Sequence, residues 1–441
     1  MRLSPYREHK NTGIEWLGEI PRHWGTLPLR RLIRMVKTGG TPAGADDSAF
    51  DDAGFNWYTP GDFSERLVLG KSDRALSDLG KLDVHTFPPM TVMLVGIGAT
   101  IGKVGISVGE SSCNQQINGI VCGDLVDPAF VAYYLRTMRS FIMQCGKYTT
   151  LPIINQDETK SLTITHPPLP EQRAIAAFLD RETARIDSLI AKKQKQIDLL
   201  QRKRAALISQ AVTKGLDPKV KMKDSGVEWV RHVPAHWRSC LLKRVADISY
   251  GVGGELDRTS TQGVPIISLP NVGIDGALDV SEISLCDHPR QEIEPNLMRK
   301  GDLLFNWRNG SASHLGKTVY FDLDGEFTHV SFLLRLRFNP NGCSKYCYYL
   351  LNGFRSRGYF SSSKAGVNNT FNMSELQNLP VLLPPKAEQE AIAAYLDSEI
   401  ARTLAPLPKI ARSVETLEKY RAALISAAVT GKIDVRQGDQ T

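Results

Sequence analysis

Long apolar runs are what this sequence has least of. The longest, Pro88 to Ile101, is interrupted by Gly96 and Gly98, which excludes a membrane-spanning helix of about 20 residues. The stretch Met1-Arg2-Leu3-Ser4-Pro5-Tyr6-Arg7-Glu8-His9-Lys10 lacks the apolar segment of a secretory signal, so a cytoplasmic location is expected. Cysteine is sparse and scattered. Of the seven (113, 122, 145, 240, 286, 343 and 347), only Cys343 and Cys347 stand close, and no second Cys or His pair has zinc-site spacing. Packed, reduced thiols are expected, with no metal. Neither charge sign dominates: 54 Lys+Arg against 47 Asp+Glu leaves +7. That mild excess suits a nucleic-acid partner without requiring one. The 42% hydrophobic and 23% charged shares exclude disorder as the main state. At roughly 150 residues per domain, 441 residues make several domains.

Catalytic signatures are missing as well. Gly96-Ile97-Gly98-Ala99-Thr100-Ile101-Gly102 imitates a dinucleotide loop but has one residue too many before its last glycine. Gly316-Lys317-Thr318 imitates the end of a phosphate-binding loop, yet the upstream glycine, Gly310, is misplaced by one. His232 and His236 have helical metal-pair spacing, but Pro234 lies between them, and a structural role is expected. His166-Pro167-Pro168-Leu169 has neither end of the turn that binds a methylatable amine, and neither a nucleophile elbow nor a nuclease carboxylate–lysine cluster is visible. The chain reads as a reader or a scaffold, with no catalytic residues.

What is present is a sequence written twice. Thr12-Gly13-Ile14-Glu15-Trp16, with Ile20-Pro21-Arg22-His23-Trp24, reappears as Ser225-Gly226-Val227-Glu228-Trp229, with Val233-Pro234-Ala235-His236-Trp237. Pro167 to Asp217 reappears without a gap as Pro384 to Asp434, including Glu171-Gln172 as Glu388-Gln389. Between these segments the copies diverge, leaving echoes such as Tyr133-Tyr134-Leu135 with Tyr348-Tyr349-Leu350, and Asn155 with Asn372. A shared frame therefore holds two different inserts.

The frame encodes long helices. After Pro170 no Gly or Pro occurs until Lys214-Gly215. Apolar residues at Ile186, Ile190, Ile197, Leu200, Leu207 and Ala211 follow a heptad seam, repeated at Leu407, Ile410, Val414, Leu417, Leu424 and Ala428. About 43 residues at ~1.5 Å rise make a helix of about 65 Å. Pro406 and Pro408 should break or kink the second one. Since each helix follows one insert and leads away from it, the two seams are expected to pair antiparallel within one chain, around a pseudo-two-fold axis. The inserts read as mixed α/β. Strand-like runs lie at 91–95, 119–122, 263–269, 302–306 and 332–338, and helical stretches near 128–141 and 344–354.

These residues together resemble the specificity (S) subunit of type I restriction–modification enzymes. The resemblance rests on Gly13-Ile14-Glu15-Trp16-Leu17-Gly18-Glu19-Ile20-Pro21-Arg22-His23-Trp24 and its second copy. It rests also on Pro-Pro-x-x-Glu-Gln-x-x-Ile at 167 and 384, and on the helix ends Ala205-Ala206-Leu207-Ile208-Ser209 and Ala422-Ala423-Leu424-Ile425-Ser426. The run Asp302 to Ser311 looks like one common in target-recognition domains. The resemblance implies an α+β fold: two mixed α/β target-recognition domains in tandem, separated by two long conserved helices in an antiparallel intramolecular coiled coil. The boundaries expected are 1–166 and 218–383 for the recognition domains, 167–217 and 384–434 for the helices, and 435–441 for a tail. It implies a non-catalytic protein that reads a split, asymmetric sequence in double-stranded DNA, with the helices as a ruler. It also implies docking of two methyltransferase subunits and, through them, two restriction subunits. S-adenosylmethionine, ATP and Mg would belong to those partners, with no cofactor bound by this chain. A coiled-coil scaffold, an orphan DNA-binding adaptor without restriction partners, or a DNA enzyme with hidden motifs are the other readings of the residues.

Polar side chains in loop-like places are the candidate DNA contacts. In the first insert they are Lys103, Asn114, Gln115, Gln116, Lys147, Tyr148, Thr149 and Thr150. In the second they are Asn306, Arg308, Asn309, Ser311, His314, Lys317, Lys364, Asn368, Asn369 and Thr370.

Overall fold

Val92-Met93-Leu94-Val95 are apolar without alternation because their strand is covered on both faces. Successive side chains of a strand point to opposite sides. Val92 and Leu94 join a core with Phe130 and Tyr134, whereas Met93 and Val95 join another with Tyr58, Phe63 and Phe87. The same division recurs in the second copy, where Leu303 and Phe305 face one core and Leu304 another. A computed structural model describes residues 4–42, 47–145, 152–227, 230–254, 260–308, 314–362 and 370–437. By contacts the chain divides into two units, Met1–Gln194 with Ala411–Thr441, and Lys195–Ile410.

In the first unit a five-stranded sheet runs in the order Ile33–Thr38, Ile117–Cys122, Val92–Val95, Val104–Ser107, Val68–Leu69. Its last pair is parallel and the others antiparallel. The helix Pro128–Thr137, capped by the Asp127 carboxylate on the amides of Ala129 and Phe130, buries Phe130 to Leu135 against this sheet. The second unit repeats the first four positions with Ala246–Tyr250, Leu333–Phe338, Leu303–Asn306 and Thr318–Tyr320. There the helix Ser344–Ser356 takes the place of Pro128–Thr137. The expected mixed α/β inserts are thus present, with strands and helices where the sequence places them.

The repeated frame brings two distant segments together. His9–Asn11 pairs with Glu19–Pro21, then Gly25–Pro28 pairs with Thr163–His166, immediately before the long helix. In the second copy Met222–Val227 pairs with Val230–Pro234, and Arg238–Leu241 with Pro380–Leu383. The buried Glu171 accepts from the Tyr6 hydroxyl at 2.6 Å and bonds His23 Nε2 at 2.9 Å. Its counterpart Glu388 bonds His236 Nε2 at 2.7 Å and accepts from Trp237 Nε1 at 3.0 Å. Gln172 accepts from the Asp127 amide and donates to Pro167 O, as Gln389 accepts from the Cys343 amide and donates to Pro384 O. The glutamate of the Glu-Gln motif locks the helix start to the Pro-x-His-Trp ribbon, with His236 serving in it, and the glutamine ties that start to the residue before the domain helix.

The first long helix is continuous over Leu169–Lys214. The second is interrupted as its prolines require: Lys386–Leu404, then Leu407–Val429. Neither Pro406 nor Pro408 has an amide to donate four residues back. The break is small, since Ala405 N still reaches Ala401 O at 2.9 Å and Ile410 N reaches Pro406 O at 3.0 Å. Within the first unit the helices run antiparallel. Arg421 Nε pairs with Asp187 at 3.0 Å, and further along Thr165 Oγ1 donates to Val429 O at 2.7 Å. Of the seam, Ile186 and Leu424 are buried, while Ile190, Ile197, Leu200, Leu207, Leu407, Ile410, Val414 and Leu417 are half-buried. Near the helix ends the apolar stripe widens to Ile208 and Val212 in one unit and Ile425 and Val429 in the other, because there each helix also packs on a globular domain.

Among the described residues no helix is long and apolar enough to cross a membrane.

Candidate nucleic-acid interface

In each unit a central strand runs out into a junction of loops that carries part of the candidate set. In the first, the strand Val92–Val95 runs out into Gly96-Ile97-Gly98. Ile97 forms a β-bridge with Ile153, Ile154 N donates to Gly96 O at 2.9 Å, and Gly96 N donates to Gln116 O at 2.7 Å. The buried Asn118 fastens this junction, donating to Ile154 O at 3.1 Å and accepting from Thr38 Oγ1 at 2.8 Å. The glycine run that imitates a dinucleotide loop is therefore a strand end on which two other loops converge. Directly after it, Asn155 and Glu158 form a capping box at the helix Gln156–Ser161.

Asn114 is buried, and its carboxamide spans the turn to Gln116, accepting from the Gln116 amide at 3.0 Å and donating to Gln116 Oε1 at 3.0 Å. Gln115 is exposed and accepts from Thr41 Oγ1 at 2.7 Å; Gln116 is half-buried beside Gly98. Lys103 lines a separate cleft of about 370 Å³ with Arg136, Arg139, Arg421 and Glu65, and its ammonium donates to Phe63 O at 3.2 Å. Arg136 is spent on the loop below, its guanidinium donating to the carbonyls of Glu65 and Arg66 at 2.7 Å each. Burial, then the charge of Arg421, lowers its pKa. Lys147, Tyr148, Thr149 and Thr150 lie outside the described residues.

The second unit builds the same junction from different side chains. The strand Leu303–Asn306 runs out into Trp307-Arg308; Arg308 bridges Thr370, and Phe371 N donates to Trp307 O at 2.7 Å. The capping box recurs at Asn372 and Glu375. Asn306 is fully buried and accepts from the Arg308 amide at 3.3 Å. Arg308 is exposed, its guanidinium 5.9 Å from the Phe332 ring centre. Thr370 is half-buried at the bridge. His314 is half-buried, its pKa lowered by burial and by Lys317 and Arg355. Lys317 is buried, and its ammonium donates to Val272 O at 2.8 Å, so that lysine holds the fold. Gly316 before it is required by packing, not by phosphate: a Cβ there would lie 2.2 Å from Phe360. Asn309, Ser311, Lys364, Asn368 and Asn369 lie outside the described residues.

Sequence reasoning passed over the aromatic residues around Arg308. Trp307 donates its indole N–H to Ser331 O at 2.7 Å, with Tyr250 edge-on at 5.5 Å. Phe332 walls a cleft of about 740 Å³ with Ser268, Asn271 and Ser284. The available signal was Phe332 opening the apolar run 332–338: it stays outside the strand Leu333–Phe338 and is 43% exposed.

A family model described as type I restriction modification DNA specificity domain matches residues 21–199 and 289–411. The specificity subunit of the type I restriction enzyme MjaVIII from Methanocaldococcus jannaschii is 25% identical over 431 residues, covering 95% of this chain and 94% of that protein. The MjaIX specificity subunit of the same organism is 22% identical over 447 residues, covering 98% and 97%. A solved chain from work titled as the structural basis of complex assembly and conformational transition of the type I R-M system superposes with a TM-score of 0.67 at 17% identity, covering 94% of this chain and 99% of that one. At that identity the likeness concerns the fold.

Proposed function

Because the chain belongs to the type I restriction–modification DNA specificity family, we propose that it is the DNA-recognition subunit of such an enzyme, non-catalytic itself and reading a bipartite, asymmetric target. The observation that carries this reading is the pair of loop junctions. Ile97–Ile153 and Arg308–Thr370 are built on the same strand order and followed by the same capping box, yet they present unlike side chains. A common frame with divergent tips is what two half-sites of different sequence, served by identical partners, require. Phosphate contacts place such a protein on the duplex, and base-edge contacts specify the sequence.

The twice-presented frame further suggests two methyltransferase subunits and, through them, two restriction subunits. S-adenosylmethionine, ATP and Mg are assigned to those partners, and the place of action to the cytoplasm. The five-segment division at 166, 217, 383 and 434 is kept as the functional one, with the seam from Ile186 to Leu207 and from Leu407 to Leu424 as the ruler. Within the candidate set, the exposed Gln115 and Arg308 are the foremost base readers.

The test is genome-wide adenine methylation in cells expressing the chain with its neighbouring methyltransferase, against cells lacking only this chain. A split, two-part motif that depends on the chain is the expected result. Methylation that is unchanged without it overturns the proposal.

A further inference from the structure

The bridge position that carries Arg308 in the second domain carries Ile97 in the first, so this point of a shared scaffold is chemically different in the two copies. The backbone at Arg308 is pinned from several directions. Its amide donates to Asn306 Oδ1 at 3.3 Å, and it bridges Thr370. The neighbouring Trp307 carbonyl accepts from Phe371 N at 2.7 Å, and its indole donates to Ser331 O at 2.7 Å. The side chain beyond this anchor is exposed, and among the described residues it forms no ion pair. What it does have is the ring of Phe332, 5.9 Å from the guanidinium carbon. Phe332 follows Ser331, the residue that receives the Trp307 indole, so ring and arginine stem are tied to one rigid unit. The Phe332 ring, 43% exposed, leaves an apolar face open beside the exposed guanidinium, the pairing of an aromatic face with a cation that a nucleic-acid base can complete.

We propose that Arg308 reads a guanine in the half-site of the second domain, and that Phe332 is the positioning residue whose ring holds the guanidinium ready for that base. The proposal rests on the DNA-recognition reading above and deepens it. Arginine matches guanine because its planar fork places two N–H donors on O6 and N7 in the major groove. An arginine free to rotate loses side-chain entropy when it binds, and one laid against an aromatic face loses less. The aromatic face is also what separates this role from simple packing: tyrosine keeps it, whereas leucine keeps the apolar bulk without it.

The experiment uses the purified complex of this chain with its methyltransferase subunits and the split motif found for the wild type. Relative methylation rates are measured on duplexes carrying each base at each position of both halves. Arg308→Ala is expected to lower discrimination at one guanine by about tenfold or more, and Phe332→Leu to lower it at that same guanine by about threefold. Phe332→Tyr should restore wild-type discrimination, and the half read by the first domain should stay unchanged in all three variants. That unchanged half certifies assembly. If Arg308→Ala relaxes a guanine that Phe332→Leu leaves sharp, the positioning role is overturned. So it is if Phe332→Leu weakens every position of the half-site equally, or if Phe332→Tyr fails to restore the guanine. If Arg308→Ala relaxes no guanine, the base assignment is overturned while the recognition reading stands. If the wild-type complex yields no split motif, the recognition reading itself fails.

Discussion

A histidine with no exposed surface, His329, lies within the second unit with its pKa lowered to about 3, chiefly by burial and then by the Arg335 guanidinium. Its ordinary value is 6.5, so between these limits the unfolded chain takes up a proton that the folded one refuses. The unfolded state then binds more protons, and stability falls as pH drops below 6.5, by up to about 1.4 kcal/mol per pH unit. His329→Gln should lose less of its melting temperature than the wild type between pH 6.5 and pH 4.5, even if it starts lower. Melting curves across that range check it, and identical slopes would refute the assignment. At this scale the sequence was least informative. Asn114 and Lys317 look like surface polar residues in a string of letters, but both are buried: Asn114 bonds within its own turn, and Lys317 reaches the distant Val272 carbonyl. Nothing local distinguishes a lysine that meets a carbonyl from one that meets water.

At the scale of elements, the two glycines after the helices offer a controlled comparison. Gly215 and Gly431 have φ of +71° and +72° and lie against the ribbon residues Pro234 and Trp237, and Pro21 and Trp24. Alanine at either place carries the left-handed cost of about 1–2 kcal/mol. The surroundings then differ. A Cβ on Gly215 would come within 3.2 Å of Glu388 Oε1, the end of a side chain, whereas on Gly431 it would come within 2.2 Å of Pro21 Cδ. Gly431→Ala should therefore lower the melting temperature clearly more than Gly215→Ala, and equal losses would show that Pro21 gives way freely. The elements themselves were largely legible. Heptad spacing marked the helices, the glycine after Lys214 marked the stop, and Pro406 with Pro408 marked the interruption between Leu404 and Leu407. What periodicity could not show was the widening of the stripe to Ile208, Val212, Ile425 and Val429, since that depends on which domain the helix end meets.

For the whole molecule, the proposed function makes two demands. DNA binding held by phosphate contacts must weaken linearly in log–log salt titration, and binding that ignores salt would count against it. A substitution in one domain must also be felt in one half-site: Arg308→Ala should leave the half read by the first domain as sharp as before, and equal relaxation of both halves would sink the assignment. The duplication, the absence of catalytic motifs and the family were readable from the chain alone, because a repeat and a motif are properties of order along the sequence. So were the helices, whose pattern reflects the local period of 3.6, and the central strands, whose unbroken apolar runs reflect cover on both faces. The tertiary structure decided what depends on proximity between residues far apart in that order. It joined Glu171 to Tyr6 and His23, and Glu388 to His236 and Trp237, which explains why two separated motifs recur together. It turned the Lys103 ammonium to the Phe63 carbonyl, and it set Phe332 beside Arg308. Side chains brought together by sheet order and strand ends leave no spacing rule behind, so their meeting is visible only once the chain is folded.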